Sequence, residues 1–202
     1  RAVILGIAKS SGPVPKVEDC YDPKSAQHVL AGTYPKEEDM ILEMEAVAKV
    51  FKKYDVQVFR PIVIEDYNQI FSRDIAFVIE DKFIEANILP DREREYKAIN
   101  NVISQINPNN VIVLPEECHV EGGDVMPWNE YIFVGTYSGV DYSDFITART
   151  NMQAVHALRD LFPHKIVKSF DLRKSNTDPK ENALHLDCCF QPIGKDKAIL
   201  HE

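Results

Sequence analysis

The order in which hydrophobic patterns follow one another restricts the folds open to this chain more than any other feature. Residues 73–89, RDIAFVIEDKFIEANIL, read as two short strands joined by a tight turn at Glu80 and Asp81. Behind them, DREREYKAINNVISQIN places Tyr96, Ile99, Val102, Ile103 and Ile106 at helical spacing, and NNVIVLP is a short apolar run of buried-strand type. The same order then recurs. GGDVMPWNEYIFVGT reads as a hairpin turning at Asn129–Glu130, and FITARTNMQAVHALRDLFP as a helix with its stripe at Met152, Val155, Leu158, Leu161 and Phe162. KIVKSFDL is the strand that follows, and HLDCCFQPIGKDKAILHE opens a third round with a hairpin about Gly194–Lys195. Ahead of the first hairpin, EEDMILEMEAVAKVFKKYD carries a helical stripe and VQVFRPIVI a strand pattern. The unit is hairpin, helix, strand. A chain of such units is an α/β protein whose pieces pack in series, as blades or an array about a centre.

Acids recur with the unit. Asp74, Asp124 and Asp187 are expected at the starts of first strands, 50 and 63 residues apart by the numbering. In a pseudo-symmetric array the matching ends of equivalent strands converge, which would carry three carboxylates to one locus; acids that flank strands as turn formers give the same pattern. Next to Asp124, the stretch HVEGGDVMPW holds a glycine pair between two acids, which suits either a turn or a close approach of backbone. The repeat breaks off at Glu202, where a helix and a strand are due, and the chain begins at Arg1 without a methionine. Residues 1–202 are therefore expected to form one incomplete domain that continues past Glu202.

Charge and composition narrow the partners. The 202 residues are 45% hydrophobic and 27% charged, a globular composition, and carry 32 acidic against 23 basic residues for a net charge of −9. Without a lysine or arginine run, a nucleic-acid partner is not expected, and the sign suits a small cationic substrate. No apolar stretch reaches the roughly 18 residues that span a bilayer, so no membrane partner is expected. Four cysteines at irregular spacing (Cys20, Cys118, Cys188, Cys189) do not form a disulfide framework, which points to the reduced cytoplasm. Self-association into a homo-oligomer is left open.

Few motifs carry chemistry by themselves. If HLDCC is a strand, alternation puts His185, Asp187 and Cys189 on one face. A histidine beside a carboxylate offers an acid/base next to an anionic anchor, although a satisfied core histidine is the plainer reading. Cys189 would then stand about 13 Å from His185, too far for a nucleophile–base pair, and is expected to pack instead. Neither a zinc-type ligand spacing nor a phosphate or dinucleotide glycine loop is present, so no metal and no cofactor are expected.

Four segments in one order, FSRD (71–74), EGGDV (121–125), ARTN (148–151) and HLD (185–187), resemble the guanidino-group-modifying superfamily. Arginine deiminases, amidinotransferases and dimethylarginine dimethylaminohydrolases are its members, and the resemblance covers roughly residues 71 to 190. It implies a five-bladed α/β propeller, the pentein fold, with the site at its axis. It also implies attack on the guanidinium carbon by a cysteine thiolate, expulsion of an amine, and transfer of the amidino group to water or another amine. Carried onto this chain, Asp74 and Asp187 would clamp the guanidinium, and His185 would protonate the leaving amine and then activate the acceptor. Glu121 would orient His185. Arg149 matches an arginine that meets a substrate carboxylate, or is one exposed helix residue, and Asp124 would support the start of its strand. The glycine pair would let backbone crowd the axis while Glu121 points inward. No cysteine here matches the nucleophile of the family, which lies in the last blade and is expected beyond Glu202. The implied reading is a hydrolase acting on arginine or a close derivative, with an amidinotransferase and a non-catalytic binding protein of the same fold as alternatives.

Overall fold

Side chains that satisfy the first free amides set where several elements begin. In the computed structural model, which describes residues 1–141 and 143–201, Asp22 accepts bonds from Lys24 N and Ser25 N at 2.8 and 2.9 Å. With Pro23 at the first helical position this opens α1 (Pro23–Leu30). Glu202, where the repeat is expected to break off, lies outside the described residues. Helix α2 (Glu37–Lys53) opens on Glu37, Glu38 and Asp39 and closes on Lys52 and Lys53, charges that complement its dipole. It leads into β2 (Gln57–Phe59), which pairs in parallel with β1 (Ala2–Ile4). The nine-residue strand expected over 56–64 stops there. Pro61 has no amide to donate, and the Gln69 side chain takes Ile64 N and Ile62 O at 2.7 and 2.9 Å in place of a sheet neighbour.

The repeated unit is present, with one addition. A single helical turn, α3 (Ser72–Ile75), precedes the hairpin of β3 (Ala76–Ile79) and β4 (Lys82–Glu85), which turns at Glu80 with φ 57°. The helix expected over 91–107 is broken into a 3-10 turn at Pro90–Arg92, α4 (Glu93–Lys97) and α5 (Asn100–Ile103). The cause is local. Ile62 N takes the Ala98 carbonyl at 2.8 Å, and Val102 N instead reaches Ile99 O at 2.8 Å, a 3-10 spacing. Strand β5 (Val111–Val113) then lies parallel to β4, giving the order β3-β4-β5.

The second unit repeats this as β6-β7-β8. A 3-10 turn at Gly122–Asp124 precedes the hairpin of β6 (Val125–Trp128) and β7 (Tyr131–Thr136), which turns at Asn129 with φ 53°. Helix α6 (Met152–Leu161) is capped by Asn151, whose side chain accepts from Ala154 N at 3.1 Å, and β8 (Ile166–Asp171) pairs in parallel with β7. In the third unit a 3-10 turn at Leu186–Cys188 precedes β9 (Phe190–Ile193) and β10 (Lys197–Leu200). Ala154, Val155 and Leu158 of α6 pack with Ile132 and Val134 of β7 and with Phe77, Ile79 and Ile84 of the first unit in one cluster. The units are thus held to each other by a shared core. Among the described residues, no helix is long and apolar enough to cross a membrane.

Candidate active site

The three helical turns before the hairpins carry the site, and this corrects the expected placement of the acids. Asp74 and Asp124 are each the third residue of their turn, not strand residues, while Asp187 is the second of its own. One residue on a helical turn rotates a side chain by about 100° in an α turn and about 120° in a 3-10 turn. Asp187 accordingly leaves the centre and meets Arg73 Nε at 3.0 Å on the partly exposed rim. The expectation that His185 and Asp187 share a strand face fails for the same reason, since residues 186–188 are a 3-10 turn. Glu121 and His185 occupy matching positions of their units, each extended and immediately before its turn.

Those positions bring three groups together. His185 Nε2 lies 2.8 Å from Glu121 Oε2, and its Nδ1 lies 3.8 Å from Asp74 Oδ1. Arg149 is 2% exposed and precedes α6, so it is not an exposed helix residue. Its Nη1 donates to both Glu121 oxygens at 3.1 and 2.9 Å, and Nη2 and Nε donate to the Tyr21 and Ile146 carbonyls at 2.8 and 2.6 Å. Asp124 is wholly buried and fixes the third turn. Its Oδ1 accepts from Leu186 N at 2.9 Å and its Oδ2 from Thr150 Oγ1 at 2.7 Å. Lys174 Nζ donates at 2.5 Å to the carbonyl of Leu184, the residue before His185.

Arg92 is the participant that motif reading missed. Its Nη1 donates to Asp74 Oδ2 at 3.0 Å and Glu121 Oε2 at 3.2 Å, while Nε and Nη2 form a parallel pair with Glu95 at 2.7 and 3.1 Å. A signal existed: Arg92 and Glu95 extend the stripe of Tyr96, Ile99 and Val102 by helical spacing, so two charges lie on a face bound for the interior.

Electrostatics push the two central carboxyls apart. Burial alone would raise Glu121, but the Arg149 guanidinium, the His185 bond and Arg92 hold it well below the usual carboxylate range. Burial raises Asp74, the His185 charge offsets this in part, and the Glu121 charge adds to the rise. Burial also works against the charged form of His185, yet Asp74, the bond to Glu121 and Asp124 outweigh it and lift the imidazole to about 9. At neutral pH His185 is therefore an imidazolium, ready to give up a proton.

The glycines fit close approach. A Cβ on Gly123 would stand 2.8 Å from His185 Cγ and Nδ1 and 3.0 Å from Asp74 Oδ1, and one on Gly122 would collide with the Arg73 carbonyl. Among the cysteines, Cys118, Cys188 and Cys189 are all raised by burial, so none is poised as a thiolate. Cys189 donates to Leu186 O at 3.3 Å; it packs, although the strand distance offered against it does not apply to this turn. Ligand atoms of Asp74, Glu121 and His185 lie within 4.8 Å of one another, a metal-capable grouping invisible to spacing rules because each comes from a different unit. The Arg92 guanidinium already donates to the same carboxylates.

Solved structures of guanidino-group-modifying enzymes share this fold, the pentein fold. The chain is similar to SxtG, an amidinotransferase from Microseira wollei, with a TM-score of 0.71 and 15% identity over 99% of this chain and 66% of that one. It is similar to the N-terminal domain of ArgZ, an arginine dihydrolase of cyanobacteria (TM-score 0.70, 13% identity, 98% of this chain and 66% of that one). A third likeness is to a DDAH from Pseudomonas aeruginosa complexed with citrulline (TM-score 0.62, 16% identity, 88% and 63%). At this identity the likeness establishes the fold. By sequence, the chain is 28% identical over 134 residues to the uncharacterized protein YkgA of Bacillus subtilis, 66% of this chain and 40% of that protein. The chain thus spans less than half the length of that curated relative. No family model matches the chain.

Proposed function

We propose that the protein is a guanidino-modifying hydrolase acting on arginine or a close derivative through a covalent cysteine–amidino intermediate. The observation that carries this reading is that buried Asp74 and Glu121 hold a guanidinium nitrogen, that of Arg92, beside His185. A site that binds one guanidinium by charge-assisted bonds has the chemistry to bind another. The proposal includes a propeller of five blades and a nucleophilic cysteine supplied beyond Glu202.

Each residue then has a task. Asp74 and Glu121 orient the planar cation, with Asp187 joining from the rim. A thiolate bonds to the guanidinium carbon, the carbon–nitrogen bond to the leaving amine breaks, and His185 gives that amine its proton. Neutral His185 next takes a proton from water, the resulting hydroxide bonds to the same carbon, and the carbon–sulfur bond breaks to return the thiolate. Glu121 keeps the imidazole oriented throughout, and Arg149 balances the charge of Glu121. The test is a product assay of the whole protein against arginine, methylated arginines, agmatine and citrulline, with and without an acceptor amine. Mass spectrometry of trapped enzyme accompanies it. A ureido product and a cysteine adduct are expected; an amidino group appearing on the added amine would reassign the acceptor. A folded protein that yields neither product nor adduct with any of these compounds would overturn the proposal.

A further inference from the structure

Resting on the guanidino-modifying reading, we propose that Arg92 is an internal competitor for the place of the substrate. Its guanidinium occupies the Asp74–Glu121 carboxylates when no substrate is bound, and substrate enters by displacing it together with the Pro90–Lys97 segment. Three observations lead here. First, Arg92 Nη1 reaches Asp74 Oδ2 and Glu121 Oε2 at 3.0 and 3.2 Å, and that same Glu121 oxygen stands 2.8 Å from His185 Nε2. A substrate guanidinium held against these acids and within reach of His185 would need the same volume. The two cations exclude each other.

Second, Arg92 is equipped to leave without stranding a charge. Its parallel pair with Glu95 lies within one helical segment, three residues apart, so both groups travel together as a neutral pair. Among the described residues, the guanidinium is tied beyond Glu95 by the two bonds from Nη1, to Asp74 of its own unit and to Glu121 of the next. The carboxylates left behind, Asp74 and Glu121, keep Arg149 and His185 as counter-charges, so the departing neutral pair leaves no uncompensated charge in the cluster.

Third, the segment is built of small pieces. A 3-10 turn of three residues, then five- and four-residue helices, follow one another with a break at Ala98–Ile99. Short helical pieces have few internal bonds to lose when they shift. Outside the acid cluster the segment is held by Tyr67, whose hydroxyl donates to Asp91 O at 2.5 Å and whose ring lies 4.8 Å under the Arg94 guanidinium. It is also held by Tyr96, which bonds Glu85 and packs on the cluster of Ile75, Phe83 and Ile99, so displacement must release these contacts as well. The Glu93–Lys97 pair next to it is exposed and adds little restraint.

The experiment uses the whole protein and methylguanidinium as the probe. Arg92→Met removes the competing cation while keeping an unbranched side chain, and calorimetry gives Kd for wild type and variant. Binding at least tenfold tighter in the variant is expected; equal or weaker binding overturns the competitor role. A second measurement stands even if the variant does not fold. Amide hydrogen exchange of residues 91–97 in wild type is compared with and without saturating agmatine. Faster exchange with ligand is expected, and unchanged or slower exchange overturns displacement. The two readings fail differently. If wild type turns over a guanidino compound but Arg92→Met binds no tighter, only the competitor role falls. If neither protein binds either probe, the functional reading falls and takes this proposal with it.

Discussion

Glu121→Gln tests the centre of the site without relying on turnover. Glu121 is fully buried and takes bonds from two arginines and the histidine: Arg149 at 2.9 and 3.1 Å, Arg92 at 3.2 Å and His185 at 2.8 Å. Glutamine keeps the shape and one acceptor oxygen but removes the charge, and it turns an amide toward a guanidinium. Breaking a buried charge pair by removing one partner costs about 3–5 kcal/mol, because the other charge is left uncompensated. The retained acceptor places this variant near the lower end. In a chain of 202 residues each kcal/mol moves Tm by about 2–4 °C, so the fall should be roughly 6–12 °C. The pH dependence carries a sign. Glu121 is held below its ordinary 4.5, so its contribution is present above that pH and is lost progressively as pH falls further. The gap between wild type and variant should therefore narrow in acid. The assay is thermal and urea unfolding of both proteins from about pH 2.5 to 8. A Tm difference under about 2 °C at pH 7 would refute the account of a charge-balanced centre, since the arginines would then not depend on Glu121.

Other outcomes follow from the same geometry. Because His185 is raised from 6.5 to about 9, its stabilisation is fully present below 6.5 and lost as pH rises through about 9, a change of roughly 3 kcal/mol. NMR titration of the imidazole together with urea unfolding at pH 6 and 9.5 measures it, and a titration at or below 6.5 would exclude the ion-paired state. Gly123→Ala puts a methyl 2.8 Å from the His185 ring, so activity of the whole protein should fall at least tenfold along with stability; an unchanged kcat would show that the ring has room to move. Asp187→Asn breaks only the partly exposed pair with Arg73, so Tm should move by no more than a few degrees. If Asp187 joins the clamp, kcat/KM for the best guanidino substrate should nonetheless fall at least tenfold, and a change within about twofold removes it from the site. Cys188→Ser and Cys189→Ser should leave turnover within about twofold, since desolvation and the Asp124 and Asp187 carboxylates both push these thiols up although Cys188 reaches the surface; a loss beyond a hundredfold in either would place the nucleophile there.

The hairpins and the helix–strand order were legible because alternation and helical spacing are local properties, readable within a dozen residues. The turns at Glu80, Asn129 and Gly194 appear where expected, as do α2 and β8. Glu121 and His185 could be singled out because both sit in short segments with a family resemblance, and the glycine pair announced a close approach that Gly123 makes to the imidazole. Tertiary structure alone decided which groups meet. Each hairpin is preceded by a helical turn, and on a turn a shift of one residue swings a side chain by about 100–120°, so Asp74 and Asp124 turn inward while Asp187 reaches Arg73. The break in the helix over 91–107 depends on the Ile62 amide, some 36 residues away in sequence, taking the Ala98 carbonyl. Arg92 becomes part of the site because that broken helix faces Glu121 of the next unit as well as Asp74 of its own. Periodicity specifies which way a residue faces within its own element; long-range packing specifies what stands opposite.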